Sequence, residues 1–173
     1  LSNSCMEIVS GFVGVPYFKH RGKSFGNKGY LIGKGRLAEI KTYSGTGIDC
    51  SGFVCRVIEV EKPIKRVIYP VGSWFARLRF LWRPVENTNV ALLVSTVNSK
   101  EVSFVEVQPG DLICVGVEHV MMVVKVVGKN IYYAHASEEQ NQVVVQKWGE
   151  GYYYQRYKKN PESKLVRLLR WPK

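Results

Sequence analysis

Acidic residues are scarce in this chain: 14 Asp and Glu face 25 Lys and Arg, a formal net charge of +11 over 173 residues. The imbalance favours an anionic partner, whether nucleic acid, anionic lipid or an acidic polymer. Charge does not choose among these. The basic residues are scattered over 19–28, 62–66, 77–83 and 156–159, as a solvated surface would also show. Long apolar runs are missing too. None approaches the ~20 residues of a membrane-spanning helix, and residues 1–14 lack the basic start and apolar block of a signal peptide. Gly22-Lys23-Ser24 lacks the glycine spacing and the strand-to-helix context of a phosphate-binding loop, so none is expected. Internal repeats and low-complexity linkers are absent. With 46% hydrophobic and 23% charged residues, the chain reads as one folded domain over 1–173.

Cysteine is sparse, at positions 5, 50, 55 and 114, and no Cys-x-x-Cys pair occurs. That removes the usual structural zinc site and a disulfide framework. Cys55 and Cys114 lie among apolar residues and read as small buried hydrophobes. Cys5, near the start, reads as inert. Cys50 differs, because it stands in "GIDCSGFV" (47–54), between a capping residue and an apolar helical pattern. Asp49 is a good N-cap, which places Cys50 in the first turn of a helix that Pro63 bounds. A helix N-terminus stabilises a thiolate, and the small Ser51 and Gly52 let a substrate approach. The amide of Cys50 is a candidate donor to a developing oxyanion. The bland alternative is a buried helical cysteine behind an ordinary cap.

The rest of the chain divides simply. Residues 5–15 carry helical periodicity up to Pro16, and 16–47 are glycine-rich loop with a short helix expected at 37–41. "SWFARLRFLWR" (73–83) reads as a short helix or an exposed hairpin. From residue 110 the pattern is β: "GDLICVGV", "HVMMVVKVV", "NIYYAHAS" and "QVVVQKW" are rich in β-branched and aromatic residues. The final "SKLVRLLRW" (163–171) has helix potential. One cysteine-bearing helix followed by antiparallel strands predicts an α+β fold.

A thiol nucleophile needs a base. If the hairpin after "HVMMVVKVV" turns around Gly128, residue 135 pairs with 121 and His119 becomes its diagonal neighbour on the same face. Diagonal neighbours lie ~7–8 Å apart at Cα, within reach of two imidazoles. A base and its orienter can therefore meet there, which supplies the logic of a cysteine hydrolase. A lone strand histidine is more often structural; the pair beside this cysteine favours function. His20 falls in the glycine-rich loop.

Taken in order, "DCSGFV", "VQPGDLICV", "HVMMVV" and "YYAHAS" resemble the NlpC/P60 cell-wall peptidases. "GFVGVPYFKHRG" (11–22) looks like the family's Gly-x-Pro-Tyr approach, and "YYYQRYKKN" (152–160) resembles its closing strand. The resemblance implies a papain-like α+β fold, with Cys50 as nucleophile, His119 as general base and acid, and His135 holding the imidazole. It also implies Tyr17 near the oxyanion, with Asp49 and Ser51 meeting the polar ends of a peptide-stem substrate. No metal or organic cofactor is implied, and a monomer is expected. The location implied is extracytoplasmic in a bacterium. Phe18-Lys19-His20-Arg21-Gly22 departs from the family's aromatic residue and paired glycines, and segment 64–100 is longer than the family leads one to expect.

The leading expectation is an endopeptidase cutting between γ-D-glutamate and the diamino acid of the peptidoglycan stem. The nearest rival is an N-acetylmuramoyl-L-alanine amidase, housekeeping or interbacterial toxin. Lipid acyltransferases of permuted order place histidine before cysteine, opposite to this chain. A basic binding module, for nucleic acid for example, accounts for the charge but leaves Cys50, His119 and His135 unexplained.

Overall fold

The computed structural model of the protein describes residues 2–17, 48–61, 66–68, 82–84, 90–96 and 98–169. The short helix expected at 37–41, most of "SWFARLRFLWR", and His20 lie outside these described residues. Among the described residues two helices come first, α1 (Ser2–Ser10) and α2 (Cys50–Glu61). A small antiparallel pair, β1 (Arg66–Ile68) with β2 (Trp82–Pro84), and the single turn α3 (Val90–Leu93) follow. The principal sheet is built from β3 (Ser99–Glu101), β4 (Leu112–Val115), β5 (His119–Val127), β6 (Asn130–Ser137), β7 (Gln142–Lys147) and β8 (Lys164–Leu168). It is antiparallel throughout, in the order β3-β8-β4-β5-β6-β7, and the helix α4 (Tyr152–Lys159) precedes its last strand. This is the α+β arrangement that the sequence predicts.

Two cores form because residues alternate across the sheet. Leu112, Cys114, Val120, Met122 and Val124 join Val9, Phe12, Phe53, Val54 and Val57 of the first two helices. Ile113, Val115, Met121, Val123 and Tyr133 face the other way, onto Tyr153 of α4. Phe12 and Phe53 meet edge to face at 5.6 Å, fully buried, and lock α1 to α2. Cys114 is fully buried in the first core, where burial pushes its thiol far above the ordinary cysteine range, as the sequence reading as a structural hydrophobe expects.

Two expected elements change type. "YYYQRYKKN" is helix, not a closing strand, because Tyr153 and Tyr157, four apart, both reach the second core while Arg156, Lys158 and Lys159 occupy the last turn against the dipole. "SKLVRLLRW" contains the strand β8 rather than a helix. β8 is inserted between β3 and β4, with Leu112 opposite Val166 and Ser99 opposite Leu168. Those ladder bonds outweigh the helical propensity of its leucines, lysine and arginines, which tertiary context can override.

The β5–β6 hairpin carries the feature on which the site depends. Val127 pairs with Asn130 across a turn of Gly128 and Lys129, and Lys125 pairs with Tyr132. Continued unbroken, that register would bring His135 opposite Met122, on the face turned toward α1 and α2. An extra residue, Val124, bulges from β5, so that Val123 faces Tyr133 and Met122 faces Ala134. One step further His135 comes level with Met121 and shares the face of His119. The expected side-by-side placement is reached through a bulge, because a one-residue slip exchanges the faces of a strand.

Candidate active site

The start of α2 is capped as the sequence predicts. Asp49 Oδ1 accepts the Gly52 amide at 2.7 Å, and its carbonyl accepts the Phe53 amide. Cys50 thus begins the helix. Its Sγ lies 4.0 Å from the carbonyl oxygen of Glu118, the residue before β5. Ile48 and Tyr17 bridge in parallel beside it, and the Tyr17 amide donates to the carbonyl of Asn141. Tyr17, Asp49, Cys50, Ser51 and His119 all line one cleft of about 440 Å³, together with Val117, Glu118, Glu138, Tyr153 and Arg156. Five of the six residues singled out in the sequence therefore share its walls. The sixth, His135, is fully buried behind His119.

His119 is the first residue of β5, on the face opposite the cores of α1 and α2. Only at a strand end can a side chain of that face share a cleft with the start of α2. Its Nε2 lies 2.8 Å from Nδ1 of His135, and Nε2 of His135 lies 3.0 Å from Oε1 of Gln146. The Tyr133 hydroxyl donates to the same Gln146 oxygen at 3.0 Å. Tyr153 stacks on the His119 ring, centroids 4.3 Å apart, and meets His135 edge-on. Arg156 pairs with Glu118 and rests over the Tyr152 ring.

Burial pushes the His119 pKa well below the ordinary imidazole value, with His135 and Arg156 adding to the effect. His135 is held down to about 4 by burial, partly offset by its hydrogen bond to Gln146. Both rings are neutral at neutral pH, the form that accepts a proton from a thiol. Tyr17 is pushed far above the ordinary tyrosine range, mainly by burial and then by Cys50, so it remains a protonated donor.

Gln146, Tyr133, Tyr153 and Arg156 were not singled out in the sequence. Gln146 had a local signal, a polar residue two positions from Val144 in an apolar strand. Tyr153 had none, since its segment resembles a strand. Among the described residues no group of three His, Cys, Asp or Glu could hold a metal ion, and no helix is long and apolar enough to cross a membrane.

The neutral histidines make stability depend on acid. Below pH ~6.5 the unfolded chain takes up protons that the folded chain refuses, so stability falls as pH drops from about 6.5 toward about 4. For His135 alone, with its folded pKa of about 4, the full span is on the order of 3 kcal/mol. Urea unfolding of wild type and His135→Gln from pH 7 to 4.5 checks this. The wild-type curve should lose stability more steeply, and parallel curves would rule it out.

The NlpC/P60 family model matches residues 30–161 of the chain. No curated protein matches it.

Proposed function

The chain belongs to the NlpC/P60 family, and on that footing we propose that it is a bacterial peptidoglycan hydrolase working outside the cytoplasm as a cysteine endopeptidase. Its substrate is the amide between γ-D-glutamate and the diamino acid of a stem peptide. The observation that carries this reading is the single cleft lined by Cys50, at the start of α2, and by His119, whose other ring nitrogen is engaged by His135. The Cys50 thiol passes its proton to His119, and the thiolate attacks the scissile carbonyl. The oxyanion is met by the Cys50 amide at the positive end of α2 and by the Tyr17 hydroxyl. His119 then protonates the leaving amine, a thioester remains on Cys50, and water activated by His119 releases the acid. Asp49 and Ser51 face the polar ends of the stem. The positive chain suits an anionic wall polymer better than it demands nucleic acid, and the unit acts as a single domain and a monomer.

The test is digestion of purified peptidoglycan followed by mass analysis of the fragments. Cleavage that leaves a dipeptide on the sugar is expected. Release of whole stem peptides would make the enzyme an amidase instead, and no release of either kind would end the hydrolase reading.

A further inference from the structure

Hydrogen bonds on the second face of the sheet run in one line across three strands, from His119 on β5 through His135 on β6 to Gln146 on β7. Tyr133 stands directly opposite Gln146 in the ladder and closes the line from the side. We propose that Gln146 is a positioning residue that sets which ring nitrogen of each histidine carries its proton, so that Nδ1 is left as the basic nitrogen of His119. The inference rests on reading Cys50 and His119 as nucleophile and base.

The reasoning is a count of donors. The Gln146 oxygen already accepts from the Tyr133 hydroxyl, and an amide oxygen cannot donate. Nε2 of His135, 3.0 Å from that oxygen, must therefore carry the hydrogen. A neutral imidazole has only one N–H, so Nδ1 of His135 is an acceptor. Nε2 of His119, 2.8 Å away, must donate to it. Nδ1 of His119 then holds a lone pair and can take the thiol proton. Tyr133 suits its part, because burial pushes its pKa up to about 12 and keeps the phenol a donor. Remove the oxygen at 146, and His135 is free to carry its hydrogen on Nδ1 instead. Two N–H groups cannot face each other, so His119 would then carry its own hydrogen on Nδ1. That is the nitrogen that must be bare to receive a proton.

Among the described residues, the titratable and charged groups around the two rings and their cleft are Tyr17, Asp49, Cys50, Glu118, Tyr133, Glu138, Tyr153 and Arg156, with Glu139, Lys147 and Glu150 beside Gln146. Gln146→Glu adds a carboxylate on β7 that still accepts from His135. It should preserve both tautomers, favour the imidazolium, and move the acid limb of kcat/KM up by about one pH unit. Gln146→Leu should lower kcat roughly 10–100-fold with KM within about twofold, short of the ~10⁴ seen when a triad loses its orienting carboxylate.

The experiment uses the full chain in three forms: wild type, Gln146→Leu and Gln146→Glu. Histidine-ring ¹H–¹⁵N spectra read the tautomers, iodoacetamide alkylation reads Cys50, and kcat and KM are measured on peptidoglycan fragments. Expected are Nε2–H on both rings in wild type and Gln146→Glu, with Nδ1–H gained in Gln146→Leu and slower alkylation of Cys50. Nδ1–H on His135 in wild type would overturn the proposal. So would unchanged tautomers and kcat in Gln146→Leu. Spectra of wild type and Gln146→Glu decide the point even if Gln146→Leu does not fold. Neither spectra nor alkylation needs a substrate, so inert peptidoglycan would count against the peptidase reading and leave this one to be judged separately.

Discussion

Cys50→Ala should lower kcat on peptidoglycan fragments by more than about 10³-fold while moving the melting temperature little. The large effect follows because no other thiol lines the cleft among the described residues. The small one follows because Cys50, although buried at the edge of the first core, also lines the cleft beside Ser51, where an alanine leaves room that solvent can share. His119→Ala should be as damaging, since the proton then has no acceptor. Because thiol and imidazole act as one unit, the double variant should cost barely more than either alone. Cys114→Ala is the control. Its side chain is fully buried, so its loss should cost on the order of 1–3 kcal/mol of stability with no specific loss of turnover. Full turnover in Cys50→Ala would remove Cys50 as the nucleophile and end the cysteine-hydrolase reading.

The second large effect is on stability, at the turn that leads into β4. Asp111 is 1% exposed and Arg167 24%. Arg167 reaches it in a two-pronged contact, Nε to Oδ1 at 2.7 Å and Nη2 to Oδ2 at 2.8 Å. Asp111 Oδ2 also accepts the Gln108 amide at 2.9 Å, and Arg167 Nη2 donates to the carbonyl of Glu106. Gly110, at φ 96°, lets the chain turn tightly enough for its amide to reach Val123 on β5. One carboxylate thus ties the 106–111 turn to β8. Asp111→Ala would leave a half-buried guanidinium without its partner and an amide without its acceptor. It should cost about 3 kcal/mol, the lower end for a broken buried pair because Arg167 keeps some access to water. Urea unfolding checks it, and a loss below about 1 kcal/mol would show the contact to be ornamental. The pair could not be read from the sequence, since its members lie 56 residues apart.

What the sequence determined by itself is local. Asp49, Cys50, Gly52 and the apolar spacing after them specify a capped helix beginning at a thiol, because the cap is made within four residues. The runs from 112 to 147 specify strands, because short, nearly continuous stretches of β-branched and aromatic residues suit a pleat covered on both faces. Glycine at 128 marks the hairpin that brings His119 and His135 near each other. Tertiary structure decided the rest. "SKLVRLLRW" yields a strand only because β3 and β4, far back in the chain, offer it ladder partners on both sides. "YYYQRYKKN" is helix because the face that Tyr153 and Tyr157 cover exists only once the sheet is assembled. The bulge at Val124, which chooses the face that His135 shares, has no residue signature, since valine follows valine there. Gln146 gains its place opposite Tyr133 only through the pairing of β6 with β7. A sequence states which groups each segment carries; which groups face one another across strands is set by packing that no single segment contains.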